Sequence, residues 1–215
     1  MNDNILRQNI IDELEFEPSI DAANIGVAVD NGVVTLTGHV ATFAQKATAE
    51  KAALSVKGVK GLAQEIEVRP YGSDVTSDEE IAKRALHTIS WNTVIPEGAV
   101  QVKVQNGWVT LTGKVDWQYQ KAGAANAIQY LAGVLGVYNN IEVKPHASVS
   151  DVKRRIEDAL KRNAEVEAKA INVSVSDGKV RLDGKVHTWA ERSATVRAAW
   201  AAPGVHLVED RILIA

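Results

Sequence analysis

The chain contains no cysteine, which excludes a disulfide framework, a thiolate nucleophile and any Cys-based metal site. No apolar run approaches 18 residues, so no stretch reads as a transmembrane helix. The segment Met1-Asn2-Asp3-Asn4-Ile5-Leu6-Arg7 has neither a basic head nor an apolar stretch of the signal-peptide kind, and a cytoplasmic location is the expectation from it. Positive charge is not in excess either. With 24 Lys and Arg against 27 Asp and Glu, the net charge is −3, whereas a general nucleic-acid binder carries a basic balance. That charge is graded along the chain: −4 over residues 1–73, −1 over 74–147 and +2 over 148–215.

The residues of catalytic chemistry are equally sparse in pattern. Five histidines (His39, His87, His146, His187 and His206) form no H-x-x-x-H or H-x-H pair, and metal sites require clustered ligands. No serine sits in a G-x-S-x-G setting, and no carboxylate pair is set off by apolar neighbours. No catalytic, cofactor-binding or metal-binding residue is therefore expected, and no enzymatic activity.

What the sequence does contain is one stretch written three times. Asn31-Gly32-Val33-Val34-Thr35-Leu36-Thr37-Gly38 returns as Asn106-Gly107-Trp108-Val109-Thr110-Leu111-Thr112-Gly113, and again as Asp177-Gly178-Lys179-Val180-Arg181-Leu182-Asp183-Gly184. Asn-Gly or Asp-Gly between alternating apolar residues signals a β-hairpin with a type I′ turn, which needs two residues tolerant of positive φ. The closing glycines Gly38, Gly113 and Gly184 mark a sharp exit or a close backbone approach.

Each copy reads as helix, hairpin, helix, strand. The opening helices carry Ile5, Leu6, Ile10 and Leu14; Ile81, Ala85, Leu86 and Ile89; and Val152, Ile156, Ala159 and Leu160 at helical spacing. Ser77 with Glu80, Thr42 with Gln45 and Thr188 with Glu191 form capping-box patterns; Asp116 stands near the start of the middle second helix, and Ser150 or Asp151 near that of the third opening helix. The second helices are alanine-rich, with Ala52, Ala127 and Ala198 expected on the buried side. Gly58, Gly133 and Gly204 are expected to stop them in left-handed caps. The last strands place Gln64, Asn139 and Asp210 among inward apolar residues.

Two amphipathic helices need one apolar sheet face to cover. The fold class expected is α+β: three tandem α-β-β-α-β modules, each a three-stranded mixed sheet with two helices on one face. The boundaries expected are 1–70, 75–145 and 148–215. Gly32, Gly107 and Gly178 serve the hairpin turns, completing a set of nine structural glycines. The other sheet face is left open, displaying Thr35, Thr37, Glu65 and Glu67 in the first module and Trp108, Thr110, Thr112 and Glu142 in the second.

The pattern resembles the BON domain, the bacterial osmotic-shock and nodulation module. The hairpins Val29–Val40, Val104–Val115 and Val175–Val186 match its "V-x-N-G-x-V-x-L-x-G-x-V", and Gly58–Val68, Gly133–Val143 and Gly204–Ile214 match its closing segment. The resemblance implies the α-β-β-α-β fold and a non-enzymatic binding role toward phospholipid or the cell envelope under osmotic or other stress. It also implies a periplasmic location as the alternative to the cytoplasmic one.

Candidate contact residues follow from the chemistry. Arg154 and Lys161 lie in the basic run of the third opening helix, the only footprint for an anionic surface, although Glu157 and Asp158 stand four residues ahead of Lys161 and Arg162 in the favourable order for helix-surface pairs. Trp108 is a large aromatic on an otherwise threonine-lined face, where a neighbouring module, a loop or a second chain is expected to cover it. Gly58-Val59-Lys60-Gly61 and Gly133-Val134-Leu135-Gly136 have the G-x-x-G form of an RNA-clamping loop, yet they join a helix to a strand rather than two helices. The leading expectation is peripheral binding to phospholipid or envelope components by several weak modules acting together, without nucleic acid or a cofactor. The alternative is a cytosolic interaction scaffold or homo-oligomer that acts through the open sheet faces and never meets lipid.

Overall fold

A computed structural model describes residues 2–70, 76–145, 152–162 and 171–214. Its elements run α1 (Asp3–Phe16), β1 (Ile25–Asp30), β2 (Val33–Val40), α2 (Phe43–Ser55), β3 (Gly61–Val68), then α3 (Asp78–Trp91), β4 (Val100–Gln105), β5 (Trp108–Val115), α4 (Gln118–Ile128), β6 (Gly136–Val143), then α5 (Val152–Arg162), β7 (Ile171–Ser176), β8 (Lys179–Val186), α6 (Trp189–Trp200) and β9 (Leu207–Ile214). Three separate three-stranded sheets result, each in sequence order. The middle strand pairs antiparallel with its hairpin partner and parallel with the closing strand, as in Val27↔Leu36 and Leu36↔Gln64. The α+β class and the triple α-β-β-α-β order are thus as expected.

The hairpin turns have the geometry their residues dictate. Asn31, Asn106 and Asp177 take φ of 51°, 51° and 48°, and the glycines that follow also have positive φ, as a type I′ turn requires. The carbonyls of Gly32, Gly107 and Gly178 then accept from the amides of Lys60, Leu135 and His206 at 2.9, 2.9 and 3.0 Å. Each hairpin turn is thereby pinned to the start of its own closing strand.

Every module keeps its own core. In the first, Leu6, Ile10 and Leu14 of α1 meet Val34, Leu36 and Ile66 of the sheet and Ala49 and Ala53 of α2, all 2% exposed or less. Burying side chains of that size stabilises by roughly 1.5–3 kcal/mol each. The same rows recur as Ile81, Ala85 and Ile89 with Val109, Leu111 and Ile141, and as Val152, Ile156 and Leu160 with Val180, Leu182 and Ile212.

Several local expectations are corrected. Ile5 and Leu86 are 56% and 51% exposed, because each lies one step off the four-residue stripe that meets the sheet. Ala52, Ala127 and Ala198 are only partly buried, and the residues one position further on, Ala53, Ile128 and Ala199, are fully buried. The helices end at Ser55, Ile128 and Trp200, so Gly58, Gly133 and Gly204 do not cap them. These glycines sit at positive φ inside following turns closed by the amides of Val59, Val134 and Val205 on the carbonyls of Val56, Leu131 and Ala202.

Capping also differs by copy. Thr42 and Gln45 form the full reciprocal box; Thr188 accepts from the amide of Glu191 at 3.1 Å, but the Glu191 carboxylate accepts from the amide of His187 at 2.9 Å and the Thr188 hydroxyl at 3.2 Å. Ser77 accepts from the amide of Glu80, but the Glu80 carboxylate turns to Arg84 at 2.9 Å. Asp116 does not cap α4; it pairs with Lys144 at 3.1 Å, while Gln120 accepts from the amides of Asp116 and Trp117. Ser150 and Asp151 lie outside the described residues.

Candidate functional site

All nine repeat glycines have positive φ, and at Gly32, Gly38, Gly107, Gly113 and Gly178 another stretch of backbone also passes close by. At Gly113, φ is 134° and an added Cβ would collide with the Ala99 carbonyl oxygen; Gly38 stands in the same relation to Asn24. Close approach, not a strand exit, is the reason for these two, since β2 and β5 continue two residues further.

A second device supports the hairpin turns. The Asp3 carboxylate accepts from the amides of Asn31 and Gly32 at 2.7 and 3.1 Å, and Asp78 accepts from those of Asn106 and Gly107 at 2.7 and 2.8 Å. The identical spacing of Asp to Asn in both copies is the sequence signal for it. Val149 stands at that spacing from Asp177.

The open sheet faces differ among modules. On the second, Trp108 is 40% exposed and stacks on Tyr138 with ring centroids 5.0 Å apart. The indole lies over Gly136, which faces it across the parallel pair. Cover for Trp108 therefore comes from its own sheet, through a tyrosine at the next outward position. The third face is charged instead: Glu209 bridges Arg181 at 3.1 Å and Arg211 at 3.3 Å. The Arg181 hydrogen bond and charge hold the Glu209 carboxyl below its usual range, with Arg211 and Lys179 adding to the effect.

Arg154 and Lys161 both point away from the buried stripe of α5. Glu157 pairs with Lys153 at 3.7 Å and Asp158 with Lys161 at 3.5 Å, whereas the spacing suggested Glu157–Lys161 and Asp158–Arg162. The surface is mixed in sign, as expected of a solvated helix.

The last residues of the opening helices stand out more. Phe16 closes α1 and is 84% exposed, and Trp91 closes α3 and is 76% exposed. Both lie 15 residues before the hairpin asparagine, and Arg162, the exposed last residue of α5, lies 15 before Asp177. Trp91 touches the His87 ring, with centroids 5.7 Å apart, and is part of none of the three core clusters.

Trp117, Trp189 and Trp200, together with Phe43, mark joints between modules. Phe43, at the start of α2, packs against the core of the second module, and Trp189, at the start of α6, packs against that of the first. Trp117, at the start of α4, shares a cleft with Val196 and Trp200 of the third module. The joints run from first to second, second to third and third to first module, a cyclic order built on the second helices. Arg192 supports one of them, lying 4.9 Å over the Trp189 ring and bonding Asp210 at 2.8 Å. Asp210 and its counterparts Gln64 and Asn139 also accept from the backbone amide two residues on.

Among the described residues no three His, Asp or Glu side chains gather where a metal ion could sit, and no helix is long and apolar enough to cross a membrane. The architecture defines a tandem-repeat α+β protein with surfaces for contact. The chain belongs to the BON domain family, whose pattern matches residues 2–70, 77–145 and 148–215. Osmotically-inducible protein Y of Escherichia coli (strain K12) is 30% identical over 152 residues, spanning 67% of this chain and 74% of that protein. Two structures of CdsD, a structural protein of the type III secretion system of Chlamydia trachomatis, align at 16% identity with a TM-score of 0.27 each. They cover 98% and 100% of this chain, and 92% and 100% of theirs. A likeness at that level carries no argument here.

Proposed function

We propose that this chain is a non-enzymatic binding protein that docks peripherally on phospholipid or other envelope surfaces in an osmotic or general stress response. The observation that carries this reading is the pair Phe16 and Trp91, both more than three-quarters exposed at matching helix ends. Leaving such a ring in water forgoes roughly 1.5–3 kcal/mol that burial would supply, and tryptophan in particular settles at the membrane–water boundary. At the matching end of α5 stand Lys161 and Arg162, and each basic residue near an anionic leaflet is worth about 1 kcal/mol.

The cyclic joints add a geometric reason. The second helices join the modules to one another, so contacts made by different modules are carried on one body. Individually weak contacts then act together. The name of the osmotically inducible relative supports the stress setting, and the periplasmic location implied by the family is consistent with docking there; the cytoplasmic one gains no support from that relative.

Co-sedimentation with anionic and with neutral vesicles, at low and high salt, tests the reading. The intact chain sediments with anionic vesicles; Phe16→Ser together with Trp91→Ser removes the salt-resistant part, and Lys161→Glu with Arg162→Glu removes the salt-sensitive part. Absence of sedimentation by the intact chain sinks it. The second reading, a scaffold or homo-oligomer acting through the open sheet faces, draws on the exposed Trp108–Tyr138 pair. It predicts self-association that follows Trp108 and ignores vesicles.

A further inference from the structure

The open sheet faces of the first and third modules share one register and differ in charge. On the first, the outward strand positions carry Asp30, Glu65 and Glu67 with no Lys or Arg among them, a balance of −3. Arg69, one residue beyond β3, holds Glu67 at 2.7 Å and brings that face to −2. On the third, Lys179, Arg181, Lys185 and Arg211 stand with Asp183 and Glu209, a balance of +2. The relief differs as well. Gly26, Ala28, Gly61 and Ala63 leave the first face low, whereas long basic side chains and Leu213, 62% exposed, stand up from the third.

From this complementarity we infer that each face has a second copy of the chain as its partner, the first-module face of one copy docking on the third-module face of another. Within one chain the two cannot meet. The first and third modules join through α2 and α6, which lie on the helix-covered sides of their sheets, so both open faces point away from that joint. The contact is heterologous and leaves each copy with a free face of either sign, so association extends into open chains or closes into rings. A strand of eight residues runs about 26 Å and three strands span about 14 Å. Each face therefore offers on the order of 400 Å², the size of a weak, transient interface. Exposed ion pairs are individually weak and screened by salt, so the association depends on protein concentration and falls as salt rises. The pairing rests on the open-face reading but uses the first and third faces rather than Trp108, and it involves neither Phe16 nor Trp91.

Sedimentation velocity of the intact chain over a range of protein concentrations, at low and high salt and without vesicles, tests the pairing. The mass rises with concentration at low salt and returns to that of one chain at high salt. Glu65→Lys with Glu67→Lys, and separately Lys179→Glu with Arg211→Glu, each reverse one face and weaken association about tenfold or more. All four side chains are exposed on strands, so circular dichroism of both variants matches the parent. Mixing the two variants restores association, because one then carries two basic faces and the other two acidic ones. Association that ignores both reversals, or that mixing fails to restore, overturns the pairing. Loss of association in Trp108→Lys with retention in both reversals also overturns it, while keeping the open-face reading. A single-chain mass at every concentration overturns the two together and leaves membrane docking untouched, since no vesicle is present.

Discussion

The carboxylate of Asp78 accepts a 2.7 Å hydrogen bond from the backbone amide of Asn106, 28 residues away. A second bond at 2.8 Å from Gly107 completes the pair. The first turn of α3 thereby holds the hairpin turn that sets strand register in its sheet, and Asp3 does the same in the first module.

Asp78→Ala removes both acceptors from donors at the turn. Each lost charge-assisted bond costs about 1–3 kcal/mol, so the second module loses roughly 2–6 kcal/mol. Chemical denaturation followed by tryptophan emission measures it. Asp78→Asn, which keeps one acceptor, recovers about half. A variant as stable as the parent shows that solvent serves the turn amides equally well.

The stacked pair on the open face makes a different forecast. Trp108 rests on Tyr138 and over Gly136 within one sheet, so Trp108→Lys removes an aromatic contact worth about 0.5–1.5 kcal/mol without opening a core. Light scattering gives the same mass for parent and variant, and circular dichroism the same spectrum. A lower mass for the variant favours the self-associating reading.

The hairpin, the strand faces and the triple repeat were legible in the sequence because each rests on neighbours a few residues apart. Asn31, Asn106 and Asp177 dictate their turns locally, and Val34 and Leu36 declare their buried face by alternation. The second helices were less readable. In α2, alanines lie all around the axis, at positions 44, 47, 49, 52 and 53, so no stripe fixes the phase and the buried row was placed one residue early. Asp78 and Phe43 act on partners far along the chain, and only the exact spacing of Asp to Asn gave a hint. Trp108 was read correctly as outward-facing, but Tyr138, its cover, lies on a strand whose pairing partner is not adjacent in sequence.

Gly113→Ala tests the close approach that its position implies. The backbone at φ 134° disfavours any L side chain, and the new Cβ meets the Ala99 carbonyl. Backbone strain alone costs about 1–3 kcal/mol, and the clash adds to it by pushing the entry of β4 away from β5. Thermal unfolding registers a loss from the second module. Gly98→Ala is the control for left-handed backbone without a close neighbour, with a φ of 71° and nothing within 4 Å. If the two substitutions cost the same, φ strain accounts for the whole effect and the carbonyl approach for none.

Trp189 belongs by sequence to the third module and by packing to the first, where it lies against the cluster that includes Leu6, Ile10 and Ala53. Small modules bury little surface alone, and a neighbour's indole is a direct supplement. Trp189→Ala removes apolar cover worth roughly 1.5–3 kcal/mol, and the loss falls on residues 2–70 rather than on the module that carries the change. Hydrogen exchange locates it: amides of α1 and β2 exchange faster in the variant while those of β8 hold. The Arg192–Asp210 bond at 2.8 Å persists without the indole, because it joins α6 to β9 within the third module. Cutting the chain after Tyr71 imposes the same loss on the first fragment, and adding the remainder of the chain restores it. Faster exchange confined to β7, β8 and β9 reverses the assignment, making Trp189 a core residue of its own module and the cyclic joint incidental.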